Sequence, residues 1–295
     1  MLDFSRRSNK KELIDSPETL PPGEMEKTLR ELRLVNRWLG GAETALGPAR
    51  RELLRLQRAR TGGGPMSARS GSAQPPLRVL DVGAGGADIA LRLARWAEEQ
   101  GIPLRIVAVD FNPRACTLAA RYLGSRSPET PRRGRARSGD GVPNEHDRQA
   151  GAGHASAQEP RAVHAQTGTI SLVAGDVFHL PFPPSAFDVV LCSAFLHHFG
   201  GEDAVKVLHS LGRAGREALI VNDLHRHPLA YWGFRLLSGL FSRSQAVRHD
   251  GPVSVLRGFI RPELRKALEQ AGFSRPSISW RWAFRWRAVA EIQPK

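Results

Sequence analysis

Leu77-Arg78-Val79-Leu80-Asp81-Val82-Gly83-Ala84-Gly85-Gly86-Ala87-Asp88-Ile89-Ala90 is the stretch on which the fold turns. Leu77, Val79 and Leu80 read as the end of a buried strand, because a short apolar run stops at a glycine-rich turn. Residues 89–99 then take helical spacing, with Ile89, Leu91, Leu93, Ala94 and Trp96 apolar and Arg92, Arg95, Glu98 and Glu99 polar. Strand, glycine turn and helix make the first half of a nucleotide-binding unit. Glycines let the backbone approach a ligand, and the helix N-terminus offers free N–H donors.

The ligand follows from the acids. A dinucleotide fingerprint needs G-x-G-x-x-G, and here Asp88 stands where the third glycine belongs. A pyrophosphate would meet Asp88 in the first turn and Asp81 at the strand end, so a zwitterionic or cationic ligand fits better. The stretch Asp81-Val82-Gly83-Ala84-Gly85, with Ala87 in place of a frequent third glycine, resembles the first motif of class I S-adenosylmethionine (SAM)-dependent methyltransferases.

Working outward, strands alternate with helices: Leu104–Asp110, a helix over Pro113–Leu123, Ile170–Asp176, Phe187–Ser193, a helix over Glu202–Arg213, and Ala218–Asn222. Alternation of this kind predicts an α/β fold, a doubly wound and mostly parallel sheet. The resemblance implies a Rossmann-like sheet of seven strands with its last strand antiparallel. From Ile278 to Ile292 every second residue is apolar and arginines occupy the other parity, which predicts a closing antiparallel pair.

The domain reading is a flexible N-terminus over 1–23, a helical cap over 24–60, a linker over 61–75 and a SAM-binding core over 76–295. Within the cap one helix starts near Glu24, and Pro48 opens a second, basic and amphipathic. That second helix can pack its leucines on its own domain or make a peripheral membrane contact, and the first is the commoner outcome. Residues 124–167 have almost no large apolar side chain and are expected to be a disordered insertion. Pro228 to Phe241 reads as an apolar, aromatic helix within a second cap region, 228–258.

Composition narrows the function. The 295 residues carry a net charge of +14, an arginine excess scattered among alanine, glycine and proline, with no nucleic-acid-reading motif beside it. Two cysteines, Cys116 and Cys192, have no paired spacing, so neither a disulfide framework nor a metal site is expected. No apolar run is long enough to span a bilayer, and a cytoplasmic location is expected.

On the predicted sheet Asp81, Asp110 and Asp176 end successive strands, where open α/β sheets bind ligands. Asp110 is placed to accept from vicinal ribose hydroxyls, with Phe111 beside the adenine. Gly175-Asp176-Val177 resembles the family's adenine motif. The resemblance implies SAM as cofactor, held by Asp81, Gly83, Ala84, Gly85, Asp110, Phe111, Asp176, Val177 and Ser193. Within the superfamily the chain looks most like quinone-type and other small-molecule methyltransferases, on Leu34-Val35-Asn36-Arg37-Trp38-Leu39 and Asp88-Ile89-Ala90.

Histidines just beyond the fourth and fifth strands, His197 and His225, are candidate general bases, with uncatalysed proton loss as the alternative. Trp38, Phe195, Tyr231 and Trp232 are candidates for an acceptor pocket. They point to a flat, largely apolar small molecule: a phenolic, a polyketide or a quinone-like compound. Two other readings stand beside it: an RNA methyltransferase, which the charge favours, and a SAM-binding regulatory protein without turnover.

Overall fold

The computed structural model describes residues 3–16, 20–62, 74–125, 165–167 and 169–293. Its strands are β1 (Leu77–Val82), β2 (Leu104–Asp110), β3 (Ala165–Thr167), β4 (Ile170–Ala174), β5 (Phe187–Ser193), β6 (Gly215–Leu224), β7 (Ser277–Arg281) and β8 (Arg285–Glu291). They form one sheet in the order β3-β4-β2-β1-β5-β6-β8-β7. Strands β4, β2, β1, β5 and β6 run parallel, and β8 enters antiparallel against β6. The expected seven strands are all present. The three-residue β3 adds an eighth, antiparallel to β4 at the sheet edge.

Both faces of a parallel sheet need cover, and the strands supply apolar side chains to each. On one face Leu80, Val82, Val190, Cys192 and Leu219 meet helices α5 (Gly201–Ala214) and α8 (Arg261–Gln270). On the other, Leu77, Val79, Ile106, Val189 and Leu191 meet α2 (Gly41–Thr61), α3 (Asp88–Glu99) and α4 (Pro113–Gly124). The strand order runs outward one way from β1 through β2 to β4 and the other way from β5 to β6, so the switch point lies between β1 and β5, and the loops after β1, β2 and β5 surround one crevice.

Two parts of the domain reading change. Helix α2 is not a cap: Ala45, Leu46, Ala49, Leu53 and Leu56 are buried in the core layer against β5 and β6. It begins at Gly41 rather than at Pro48, which sits inside it. The stripe of leucines needs an apolar partner, and the sheet provides it; the membrane reading of this helix falls away. Only α1 (Glu24–Trp38) of that region lies over the crevice, packed through Met25 and Leu29 against Ala115 of α4 and Ala246.

Residues 3–16, read as loosely ordered, are also packed. The Arg7 guanidinium donates to the carbonyls of Arg257 (2.7 Å) and His197 (2.9 Å), and Glu12 is buried. Helices α6 (Pro228–Phe241) and α7 (Gln245–Arg257) pack on each other and complete the cover with α1. The α6 boundaries match the sequence reading, set by Pro228 at its first turn and by the His227 ring, whose Nδ1 accepts from the Leu229 N–H at 3.2 Å. Most of the insertion read over 124–167 and of the linker read over 61–75 lies outside the described residues. At the described ends, Gly124 closes α4 and 165–167 is strand.

Candidate active site

The crevice is a cavity of about 890 Å³, large enough for a nucleoside and a second small molecule. Its floor is the β1–α3 turn. Gly83 (φ +68°) and Gly85 (φ +49°) both take left-handed backbone, which side chains disfavour. A Cβ at Gly83 would stand 2.3 Å from the Phe195 ring. Gly83 therefore fits only without a side chain, and it leaves the backbone itself facing the cavity.

Carboxylates line this floor. Asp110, at the end of β2, accepts from Gly85 N–H (2.8 Å) through Oδ2 and from Asn112 N–H (2.9 Å) through Oδ1. Burial nevertheless raises its pKa above the ordinary carboxylate value. Asp81 is more extreme. It is buried, its Oδ2 has no hydrogen-bond partner, and burial followed by the nearby Asp88 and Asp110 pushes its pKa to about 8. Asp88, in the first turn of α3, is also raised by burial.

Three crowded, under-compensated carboxylates around a glycine floor suit a ligand with positive charge and hydroxyl donors. SAM fits on both counts: its sulfonium and ammonium would relieve Asp81 and Asp88, and its ribose hydroxyls could donate to the remaining lone pairs of Asp110. An anionic dinucleotide would not.

All nine residues read as SAM contacts line the cavity: Asp81, Gly83, Ala84, Gly85, Asp110, Phe111, Asp176, Val177 and Ser193. Their local roles differ. Asp176 caps the short 3-10 turn Val177–His179, accepting from Phe178 N–H at 2.9 Å, and its second oxygen lies 3.2 Å from His179 Nδ1. Ser193 is pinned by a 2.8 Å bond from the Asn222 side chain, which also donates to Gly41 O at 2.9 Å.

The two histidine candidates separate. His197 lines the cavity and is buried. Its Nδ1 lies 2.8 Å from Asp223 Oδ1, and its backbone N–H donates to Asp223 Oδ2 at 3.1 Å. Burial alone would raise the Asp223 pKa, but His197 and the Leu224 N–H bring it below the usual carboxylate value. An ionised Asp223 fixes the proton on Nδ1 and leaves Nε2 as the acceptor. His225 is not in the cavity. It stacks among His227, Trp286 and Phe284, and burial lowers its pKa to about 4. Strand β6 continues to Leu224, which carries His225 past the rim.

Of the four aromatic candidates only Phe195 lines the cavity. Tyr231 points the other way, edge-on to Phe4 with ring centroids 5.8 Å apart, while Trp38 and Trp232 face outward. The rest of the cavity wall is lined by aliphatic and aromatic residues of α1, α6 and α7, including Leu29, Leu32, Val35, Phe234 and Val247.

Sequence reading missed a second polar cluster, supplied by the N-terminal segment. Glu12 Oε1 lies 3.6 Å from His197 Nε2 and 3.7 Å from Arg257 Nη1, and has no hydrogen-bond partner. Burial pushes the Glu12 pKa up to about 7. Asp15 accepts from Arg257 at 2.8 Å, lies 2.8 Å from His198 Nδ1, and is held well below the ordinary range. Among the described residues, Glu12, His197 and His198 form the one group whose donor atoms all lie within 4.8 Å. The Arg257 guanidinium already brings positive charge to that corner. Arg285, from the start of β8, reaches the cavity wall and donates to Asn36 at 3.3 Å. No periodicity or motif marks Glu12, because its role depends on a fold that brings residue 12 beside residue 197.

A family model described as a methyltransferase domain matches residues 150–218. Among solved structures, the chain is similar to a SAM-dependent methyltransferase from Aquifex aeolicus, at 14% identity over 83% of this chain and 94% of that one, with a TM-score of 0.47. It is similar also to magnesium protoporphyrin IX methyltransferase from Synechocystis PCC 6803 with bound SAM, at 16% identity over 74% and 71%, with a TM-score of 0.42. No curated protein matches the sequence. No helix among the described residues is long and apolar enough to cross a membrane. The family match takes in β4 and β5, whose carboxyl ends carry Asp176 and Ser193 into the cleft.

Proposed function

We propose that the chain is a SAM-dependent methyltransferase whose acceptor is a small, largely apolar molecule with an ionisable hydroxyl: a phenolic, a polyketide or a quinone-like compound. The observation that carries this reading is the two-part lining of one cavity. Carboxylates and glycines make one side, and apolar side chains of α1, α6 and α7 close the other, with His197 Nε2 between them.

Held by the carboxylates and glycines of the cavity floor, SAM would supply an electrophilic sulfonium methyl group. The protein's part is alignment, exclusion of water and removal of a proton. Holding the acceptor against the donor accounts for most of the acceleration such reactions need. His197 Nε2 accepts the hydroxyl proton, and a base so placed contributes roughly 10²–10⁴-fold. Asp223 is the positioning residue: it holds the imidazole tautomer and stabilises the imidazolium once formed. Glu12, whose Oε1 lies 3.6 Å from Nε2, takes that proton from the imidazolium when its own carboxyl is ionised, above about pH 7.

The test is incubation with SAM and a panel of phenols, polyketide phenols and hydroquinones, read by mass spectrometry. A methylated panel member is expected, with Asp223→Asn lowering turnover by at least about 100-fold while SAM affinity stays within a factor of two or three. Methylation of RNA or protein with no small product would refute the acceptor class.

A further inference from the structure

Helix α6 turns its apolar side outward. Leu229, Trp232, Leu236 and Leu240 recur at helical spacing along one exposed line, and Phe241, 79% exposed, ends it. Only Tyr231 and Ser238 of this helix are buried. Two further tryptophans stand out beside it: Trp38, 76% exposed at the end of α1, and Trp282, 67% exposed in the β7–β8 turn.

These three pieces touch one another. The His227 ring at the start of α6 stacks on Phe284 of the turn, with centroids 5.1 Å apart. At the other end, Ser242 donates to Glu31 of α1 at 2.5 Å, and Arg243 N–H donates to the same carboxylate at 3.0 Å. The turn is in turn tied to the end of α1 by Ala283 N–H donating to Leu39 O at 3.1 Å. An apolar surface of this extent on a water-soluble face marks an interaction site.

Charge selects the occupant. Segments 34–38, 228–243 and 280–282 carry Arg37, Arg235, Arg243 and Arg281 and not one acid. A second copy would bring the same cations face to face, which is unfavourable. Anionic lipid headgroups meet the cations, and the acyl boundary takes the tryptophans and leucines. Fourteen residues make a helix of about 21 Å, too short to cross a bilayer but suited to lying on one.

We propose that the outward face of α6, with Trp38 and Trp282, docks on an anionic lipid bilayer. The same helices line the cavity with Leu32, Val35 and Phe234, so docking places the acceptor side of the cavity against the membrane. This last consequence rests on the acceptor reading above; the docking itself does not. An apolar acceptor dissolved in lipid would then reach the cleft without passing through water.

The test is co-sedimentation of the full chain with vesicles of phosphatidylglycerol and phosphatidylcholine, against phosphatidylcholine alone, with SAM affinity measured on the same samples. Partitioning to the anionic vesicles is expected, weakened by salt, and reduced at least about tenfold in Leu236→Asp/Leu240→Asp with SAM affinity unchanged. Wild-type protein left in the supernatant of both vesicles overturns the proposal. So does a wild-type dimer in solution that the double substitution dissociates, since the face then belongs to a second copy. If the double substitution impairs folding, Trp282→Ser in the turn reads the same loss. Absent SAM binding by the wild-type chain would sink the enzymatic reading alone and leave the docking result standing.

Discussion

Replacing Asp81 with asparagine should remove a proton that leaves the protein when SAM binds. Burial and the neighbouring Asp88 and Asp110 hold the Asp81 pKa at about 8. At pH 7 roughly one molecule in ten therefore carries an ionised Asp81, and at pH 8 about half do. A ligand bearing sulfonium and ammonium charge binds the ionised form and lowers this pKa. Binding then releases close to one proton from Asp81 at pH 7. The sign follows: affinity rises with pH, about fivefold from pH 7 to 8 and roughly tenfold by pH 9, where the gain saturates. Calorimetry in buffers of different ionisation enthalpy counts the protons directly. The ligand's own amino group also exchanges protons, and Asp81→Asn cancels that contribution by comparison. The variant should release about one proton fewer at pH 7 and lose most of the rise. Equal proton release and parallel pH profiles in the two proteins would show that Asp81 does not meet the cation.

Gly83→Ala should weaken SAM binding at least about tenfold and destabilise the fold by roughly 1–3 kcal/mol in urea titration, because the new Cβ meets Phe195 at 2.3 Å on left-handed backbone. Leu53→Ala, at the centre of α2, should cost about 2–5 kcal/mol; a cost under about 1 kcal/mol would mean that α2 is a detachable cap after all. Glu12→Gln should stabilise the protein at pH 8. The folded chain holds the Glu12 proton to about pH 7, whereas the unfolded chain loses it near the ordinary value. Unfolding thus releases a proton between about pH 4.5 and 7, and wild-type stability falls as pH rises through that window. The gain should be roughly 1–3 kcal/mol above pH 7 and vanish below about pH 4.5; a pH-independent difference would refute the buried, protonated Glu12.

The local rules of the chain were enough for the sheet and for the floor of its cavity. Apolar runs ending in glycine or an acid fix β1, β2, β4 and β5, and a parallel sheet must bring those ends to one rim, so every residue read as a SAM contact reaches the cavity. Neighbours along the chain settle such features, and they survive without any knowledge of packing.

Contacts across long separations were another matter. Leucine stripes on α2 and α6 look alike in sequence, yet one is buried on the sheet and the other faces out; only the positions of β5, β6 and α7 distinguish them. Helix α7 has apolar residues all round because it is enclosed on several sides, so it shows no amphipathic period. Glu12 beside His197, and His225 turned away from the cavity, depend on where the N-terminal segment and the end of β6 come to rest. Sequence thus determined the carboxylate-and-glycine floor of the cavity, built from residues at strand ends. Tertiary structure alone decided the opposite wall of the cavity, because Leu32, Val35, His197 and Phe234 come from segments up to about two hundred residues apart.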